Sequence, residues 1–181
     1  MLFGWNKFMG WRVLEFFLEG GQKIHANRLA KELKLSVGTA QRYLVEYEME
    51  GVLEKEKTGN VISFRINETP LTIELKKAFI ISKLLPFVEA FRKENPFVTT
   101  LALYGSHAKG SFDGKSDLDL IALSQSKKLG LETLKKIEQK TGKEARIQVF
   151  SLAEWRKMLR ERADFAASVA KANILLYGEP L

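Results

Sequence analysis

Asp117 and Asp119 stand two residues apart in the run Ser116-Asp-Leu-Asp-Leu-Ile-Ala-Leu123. Strand side chains alternate, so both carboxylates face one side while Leu118 and Leu120 face the other. Two carboxylates on one edge of a buried strand repel each other and are costly to desolvate unless a cation lies between them. Magnesium suits such a pair, because it prefers hard oxygen ligands and arrives with a nucleotide's phosphates. Upstream, the apolar Leu101-Ala-Leu-Tyr104 runs into Gly105-Ser106. That pair makes a tight turn whose N–H groups and hydroxyl can face a phosphate. These residues describe a site for handling a nucleoside triphosphate.

Plainer readings compete with this one. Gly110-Ser-Phe-Asp-Gly114-Lys115-Ser116 has the look of a Walker A loop, but it has three residues between its glycines and leads into a strand, where that motif needs four and a helix. Asp117 and Asp119 as solvated residues at a strand end would leave the whole spacing unexplained. His107 is expected to pack or hydrogen-bond locally, and Lys109 is either a phosphate contact or an exposed loop lysine.

Gly105-Ser106-x-Ala108-Lys109-Gly110, five residues, then Ser116-Asp117-x-Asp119-Leu120 resembles the signature of the minimal nucleotidyltransferases of the DNA polymerase beta-like superfamily. The resemblance runs from Phe97 to Leu181 and includes the closing stretch Ala172-Asn-Ile-Leu-Leu-Tyr-Gly-Glu-Pro180. It implies Gly105 and Ser106 on the triphosphate, with Asp117 and Asp119 as catalytic residues that hold Mg2+ or Mn2+. Lys109 and Ser116, at fixed positions of the same signature, are the further nucleotide-binding candidates. The family places a third carboxylate on a later strand, here Ala145-Arg-Ile-Gln-Val-Phe-Ser151, and Gln148 takes its position. An amide carries no charge and cannot serve as a base near neutral pH. Glu144 is about 13 Å away along a strand at ~3.3 Å per residue.

The elements that must position this site occupy only part of the 181 residues. An apolar content of 45% suffices for folded cores, and 28% charged residues is ordinary for a soluble chain. With no cysteine, disulfides, thiolate zinc sites and cysteine nucleophiles are excluded. No apolar run approaches the ~20 residues of a membrane span, and Met-Leu-Phe-Gly-Trp-Asn-Lys-Phe-Met9 does not read as a signal peptide. The expectation is a cytoplasmic protein without a membrane partner. A net charge of +7 favours anionic partners. Residues 1–67 hold 10 Lys and Arg against 8 Glu, and the rest 19 against 14 acidic residues, so charge singles out neither half.

Ahead of the site, Trp11–Leu18 has helical spacing and stops at Gly20-Gly21. Ala26–Leu33 reads as a short helix burying Leu29, Ala30 and Leu33, and Ser36 as the N-cap of a helix to Glu50 with Ala40, Tyr43, Leu44 and Tyr47 inward. A hairpin follows, Val52–Lys57 and Asn60–Ile66 about Thr58-Gly59, with Ile62, Phe64 and Ile66 inward. Three helices and a two-stranded wing resemble the winged helix-turn-helix domains, most specifically over Asn27 to Leu53. By that resemblance Val37–Tyr47 enters a major groove of double-stranded DNA by its N-terminal end. Ser36, Thr39, Gln41 and Arg42 would face bases, with Lys55 and Lys57 near phosphates. Glu46, Glu48 and Glu50 would repel a backbone they approached, and a protein-docking or dimerising role is the alternative.

The predicted architecture is therefore α/β (α+β): a winged helix-turn-helix domain (1–67), a linking amphipathic helix (68–96), and a small polymerase beta-like nucleotidyltransferase domain (97–181) with a mixed sheet flanked by helices. In the linking helix Leu75, Ala78, Phe79, Ser82, Leu85 and Val88 are expected to be buried, with a kink at Pro86. Glu132–Thr141 and Leu152–Ala172 should be helices, with Trp155 in the core. The expected activity is Mg2+-dependent transfer of a nucleoside monophosphate, with ATP the expected donor, to a hydroxyl. Resemblance implies pairing as antitoxin with a HEPN-domain toxin whose tyrosine would be the acceptor, and a homodimer is expected. The alternative is a nucleotide-sensing transcriptional regulator, impaired in catalysis because of Gln148.

Overall fold

The computed structural model describes residues 8–20 and 23–181. The start of the chain through Lys7, on which most of the signal-peptide reading rests, and Gly21 of the expected Gly20-Gly21 stop lie outside the described residues. Two compact units divide the chain, Met1–Phe79 and Ile80–Leu181.

The first unit holds α1 (Met9–Leu18), α2 (Ala26–Leu33), α3 (Val37–Met49) and a hairpin of β1 (Leu53–Thr58) and β2 (Val61–Ile66). Helix breaks fall where local chemistry dictates. The His25 imidazole accepts from Arg28 N–H at the start of α2, and Lys34 closes that helix in the left-handed region at φ 55°. Ser36 Oγ accepts from Thr39 N–H at 3.0 Å and opens α3. Val13, Phe17, Leu29, Ala40, Leu44, Leu53 and Phe64 form the core. Ile24 exchanges both backbone hydrogen bonds with Phe64, at 2.9 and 2.8 Å, so a third short extended segment abuts β2. The expected alternation of β2 holds for Phe64, whereas Ile62 is exposed near the hairpin tip and Ser63 is buried, its hydroxyl donating to the Glu56 carbonyl.

α4 (Pro70–Glu94) continues through Pro86 without interruption of its helical assignment. Its buried positions are Thr72, Lys76, Phe79, Ile80, Leu84 and Phe91, while Ala78 and Leu85 are exposed. The inward stripe is thus rotated from the expected one. Phe79 is common to both; Ile80, Leu84 and Phe91 lie inside, while Leu85 faces out.

The second unit is built on a four-stranded sheet of order β5-β4-β3-β6, with β3 (Val98–Tyr104), β4 (Leu118–Ser124), β5 (Ala145–Phe150) and β6 (Ile174–Gly178). β3 runs antiparallel to both β4 and β6, and β4 parallel to β5, so the sheet is mixed. Helices cover both faces. Ile80, Leu84 and Phe91 of α4 and Leu134 and Ile137 of α6 (Glu132–Thr141) pack on Leu101, Leu103, Leu118 and Leu120. On the opposite face Ile121, Leu123 and Ala102 meet Trp155 of α7 (Leu152–Arg160) and Ala166 and Val169 of α8 (Asp164–Lys171). The single helix expected over Leu152–Ala172 is thus two, broken where Arg162 adopts φ 53°. Trp155 is 1% exposed. The Glu94 carboxylate receives Glu132 N–H at 2.7 Å and Thr133 N–H at 2.9 Å, closing the N-terminus of α6 with a negative charge where the helix dipole favours it.

Candidate functional site

β3 ends at Tyr104, and the chain turns at once into the short helix α5 (Gly105–Lys109). Gly105 has φ 73°, and a Cβ placed there would lie 2.5 Å from Asp119 Oδ2. Only glycine accepts both the left-handed backbone and the carboxylate at its back. Ser106 follows, half-buried; its carbonyl accepts from Ser111 N–H at 3.0 Å. His107 is fully buried and stacks on Phe112, with ring centroids 4.3 Å apart. Lys109 is exposed, and Gly110 ends the helix at φ 71°.

The loop to β4 is tied internally. Asp113 Oδ1 accepts from Lys115 N–H at 2.9 Å and from Ser116 Oγ at 2.8 Å, and Ser116 Oγ in turn accepts from Asp113 N–H at 3.0 Å. The Ser116 hydroxyl is thereby committed to its own turn. The Lys143 ammonium donates to the carbonyls of Asp113, Gly114 and Ser116 at 3.1, 3.3 and 3.4 Å. This loop delivers Asp117 just ahead of β4 and Asp119 one position inside it.

Cross-strand register places Tyr104, Asp119 and Arg146 in one row, as Tyr104 pairs with Asp119 on β3–β4 and Asp119 with Arg146 on β4–β5. Arg146 Nη2 lies 3.0 Å from Asp117 Oδ2. Its Nε and Nη2 also donate to the two carboxylate oxygens of Glu144, at 3.0 and 3.2 Å. Gln148 pairs with Ile121, two residues along from Arg146 on the same face. Burial pushes the Asp119 carboxyl above the usual aspartate range; the Arg146 charge opposes this and the Asp117 charge adds to it. Burial also raises the Tyr104 phenol, with the Asp119 charge contributing. Arg146 holds its proton more firmly still, through its hydrogen bonds to Glu144 and then the charge of Asp117.

Gly105, Ser106, Asp117 and Asp119 therefore converge at one end of the sheet. Among the described residues no group of three or more His, Asp or Glu could hold a metal ion. The donor set fits one hard cation held by two carboxylates, its remaining ligands supplied by phosphate and water. Arg146 was missed from sequence. The alternation of β5 puts Arg146 on the face it shares with Gln148, but its place beside Asp119 comes from the pairing with β4. The Glu144 carboxylate reaches the site as the partner of Arg146, and its carbonyl accepts from Leu118 N–H at 2.8 Å.

In the first unit, Ser36, Gln41 and Arg42 are exposed at the start of α3. Thr39 is half-buried, its Oγ1 2.8 Å from Ser36 Oγ, so these two serve the helix cap. Arg42 lies 3.7 Å from Glu46 and over the Tyr43 ring. Lys55 and Lys57 are exposed on β1.

The second unit thus sets a mixed sheet between helices, with Asp119 against a Gly-Ser helix start. Residues 84–171, just under half of the chain, match the family model for the nucleotidyltransferase domain. Among curated proteins none matches this sequence. Solved structures resemble it only distantly. A toxin–antitoxin structure with AMP-PNP is 17% identical, covering 55% of this chain and 73% of that one at a TM-score of 0.39. A protein from Sulfolobus solfataricus described as a nucleotidyltransferase is 14% identical over 62% of this chain and 92% of its own, at 0.37. One described as a transcriptional regulator from Rhodococcus sp. RHA1 is 18% identical over 67% of this chain and 45% of its own, at 0.32.

Proposed function

We propose that the second unit transfers a nucleoside monophosphate from a nucleoside triphosphate to a hydroxyl. The observation that carries this reading is the closure of Asp119 onto Gly105, which sets a carboxylate directly against the Gly-Ser turn. Gly105 and Ser106 hold the triphosphate, Lys109 reaches it from the exposed end of α5, and Asp117 and Asp119 hold Mg2+ or Mn2+. The ion, when bound, neutralises phosphate charge and polarises the reacting phosphorus. In the transfer the acceptor oxygen bonds to the α-phosphorus, the bond from that phosphorus to the bridging oxygen breaks, and pyrophosphate leaves. The acceptor's proton goes to water, because the neutral Gln148 amide cannot take it.

The first unit binds double-stranded DNA as a winged helix, with Gln41 and Arg42 toward bases and Lys55 and Lys57 toward phosphates. The acceptor is a hydroxyl on a HEPN-domain partner; this rests on the resemblance of the Gly105-to-Asp119 motif alone. A second reading, a regulator that senses nucleotide without transferring it, is favoured by the Arg146–Asp117 ion pair and by Gln148. The deciding experiment incubates α-labelled ATP, GTP, CTP and UTP with candidate acceptors, comparing wild type with Asp119→Asn. Labelling that the substitution abolishes supports the transferase. Nucleotide binding without labelling by either protein selects the regulator.

A further inference from the structure

We infer that Arg146 takes the place of one divalent cation, so that this site holds a single metal ion with its nucleotide; the inference rests on the nucleotidyltransferase reading above. Two-metal phosphoryl-transfer sites set two ions about 3.5–4 Å apart between shared carboxylates. Here the register puts a guanidinium beside Asp119, with Nη2 3.0 Å from Asp117. Glu144 grips the same guanidinium through both carboxylate oxygens. A bidentate hold of this kind fixes the plane as well as the position of the charge. Arginine stays protonated at any working pH, so in this contact one oxygen of Asp117 faces a cation.

A second divalent ion at Asp117 would have to displace that guanidinium or sit against its charge. The strand offers it little in exchange, since Gln148 is neutral and Glu144 is turned to Arg146. Lys143, a further cation near the loop, donates to the carbonyls of Asp113, Gly114 and Ser116. Asp119, which carries no ion pair of its own among the described residues, remains the carboxylate to hold the one ion.

The test counts Mn2+ bound to the full-length protein by equilibrium dialysis and electron paramagnetic resonance, with an equimolar mixture of the four α,β-methylene nucleoside triphosphates. Wild type should bind one ion per chain, and Arg146→Lys likewise. Arg146→Asp, which exchanges the guanidinium for a carboxylate beside Asp119, should bind two. Arg146→Ala should bind Mn2+ alone about tenfold more tightly than wild type, since a charge of the same sign is removed from the site. The Arg146 side chain is more than half exposed, so these variants should keep wild-type circular dichroism. Two ions on wild type, one ion on a folded Arg146→Asp, or unchanged Mn2+ affinity in Arg146→Ala each overturns the inference while leaving the nucleotidyltransferase reading in place. Neither ion nor nucleotide bound by wild type overturns both.

Discussion

Replacing Gly105 with alanine tests the site at its tightest point. Two separable effects contribute. The residue sits at φ 73°, and an L side chain in the left-handed region costs about 1–2 kcal/mol. Its new methyl would meet Asp119 Oδ2 at 2.5 Å, where ordinary contact begins at 3.4 Å, so the carboxylate must retreat by nearly an ångström. Pushing a side chain off its rotamer by that much adds about 0.5–1.5 kcal/mol, giving a total of roughly 2–3 kcal/mol. Gly142 separates the two. It has φ 68° with nothing within 4 Å of its would-be Cβ, so Gly142→Ala carries the backbone cost alone. Urea unfolding of both variants should show Gly105→Ala losing more, and the difference belongs to Asp119. Displacing a reacting group by ~1 Å costs on the order of 100-fold in rate, so label transfer should collapse in Gly105→Ala and persist in Gly142→Ala. Equal destabilisation of the two variants, with nucleotide handling intact in both, would refute the reasoning.

Phe64→Ala should destabilise the first unit by about 3–5 kcal/mol, whereas Ile62→Ala, at an exposed position, should stay within about 0.5 kcal/mol by urea unfolding. Glu154 caps α7 in a reciprocal box with Ser151 and meets Lys127; the Lys127 hydrogen bond, then Ser151, lowers its carboxyl from 4.5 to about 2. Because the folded value lies below the unfolded one, its contribution is complete above pH 4.5 and disappears as pH falls toward 2. Glu154→Gln should therefore lose stability at neutral pH and show a flatter acid-unfolding curve over that window, and an unchanged curve would count against the cap. For DNA, Arg42→Ala should relax sequence preference, whereas Lys55→Ala should weaken binding to all sequences and lower the slope of log affinity against log salt by about one. Fluorescence anisotropy showing no salt dependence in wild type would remove DNA from the account.

The most legible features in the sequence were those written as local spacing. Two aspartates at i and i+2 gave their common face, and the glycine ahead of them gave the turn. Ser36 as N-cap, Phe64 inward and Trp155 in the core follow from rules that act over a few residues. What escaped depends on partners far along the chain. Arg146 becomes part of the site only through its parallel pairing with β4, and that register cannot be read from either strand alone. The stripe of α4 turned because apolar residues line more than one side of the helix, leaving periodicity to choose among near-equal faces. Ile62 alternates correctly but sits where the hairpin outruns the core, and the break at Arg162 carries no glycine or proline to announce it.

β6 joins the sheet beside β3 through contacts that span most of the second unit: Thr100 Oγ1 donates to the Glu179 carbonyl across 79 residues of sequence, and Tyr177 hydroxyl to the Val98 carbonyl. Gly178, at φ 90°, lies so close to the Thr99 carbonyl that any side chain would collide with it. During synthesis β3, β4 and β5 all leave the ribosome before β6 does. For that interval β3 carries an open row of backbone donors and acceptors, the kind of edge that recruits strands from other chains. The strand farthest from Asp117 is thus the one whose timely arrival protects the nascent protein from aggregation.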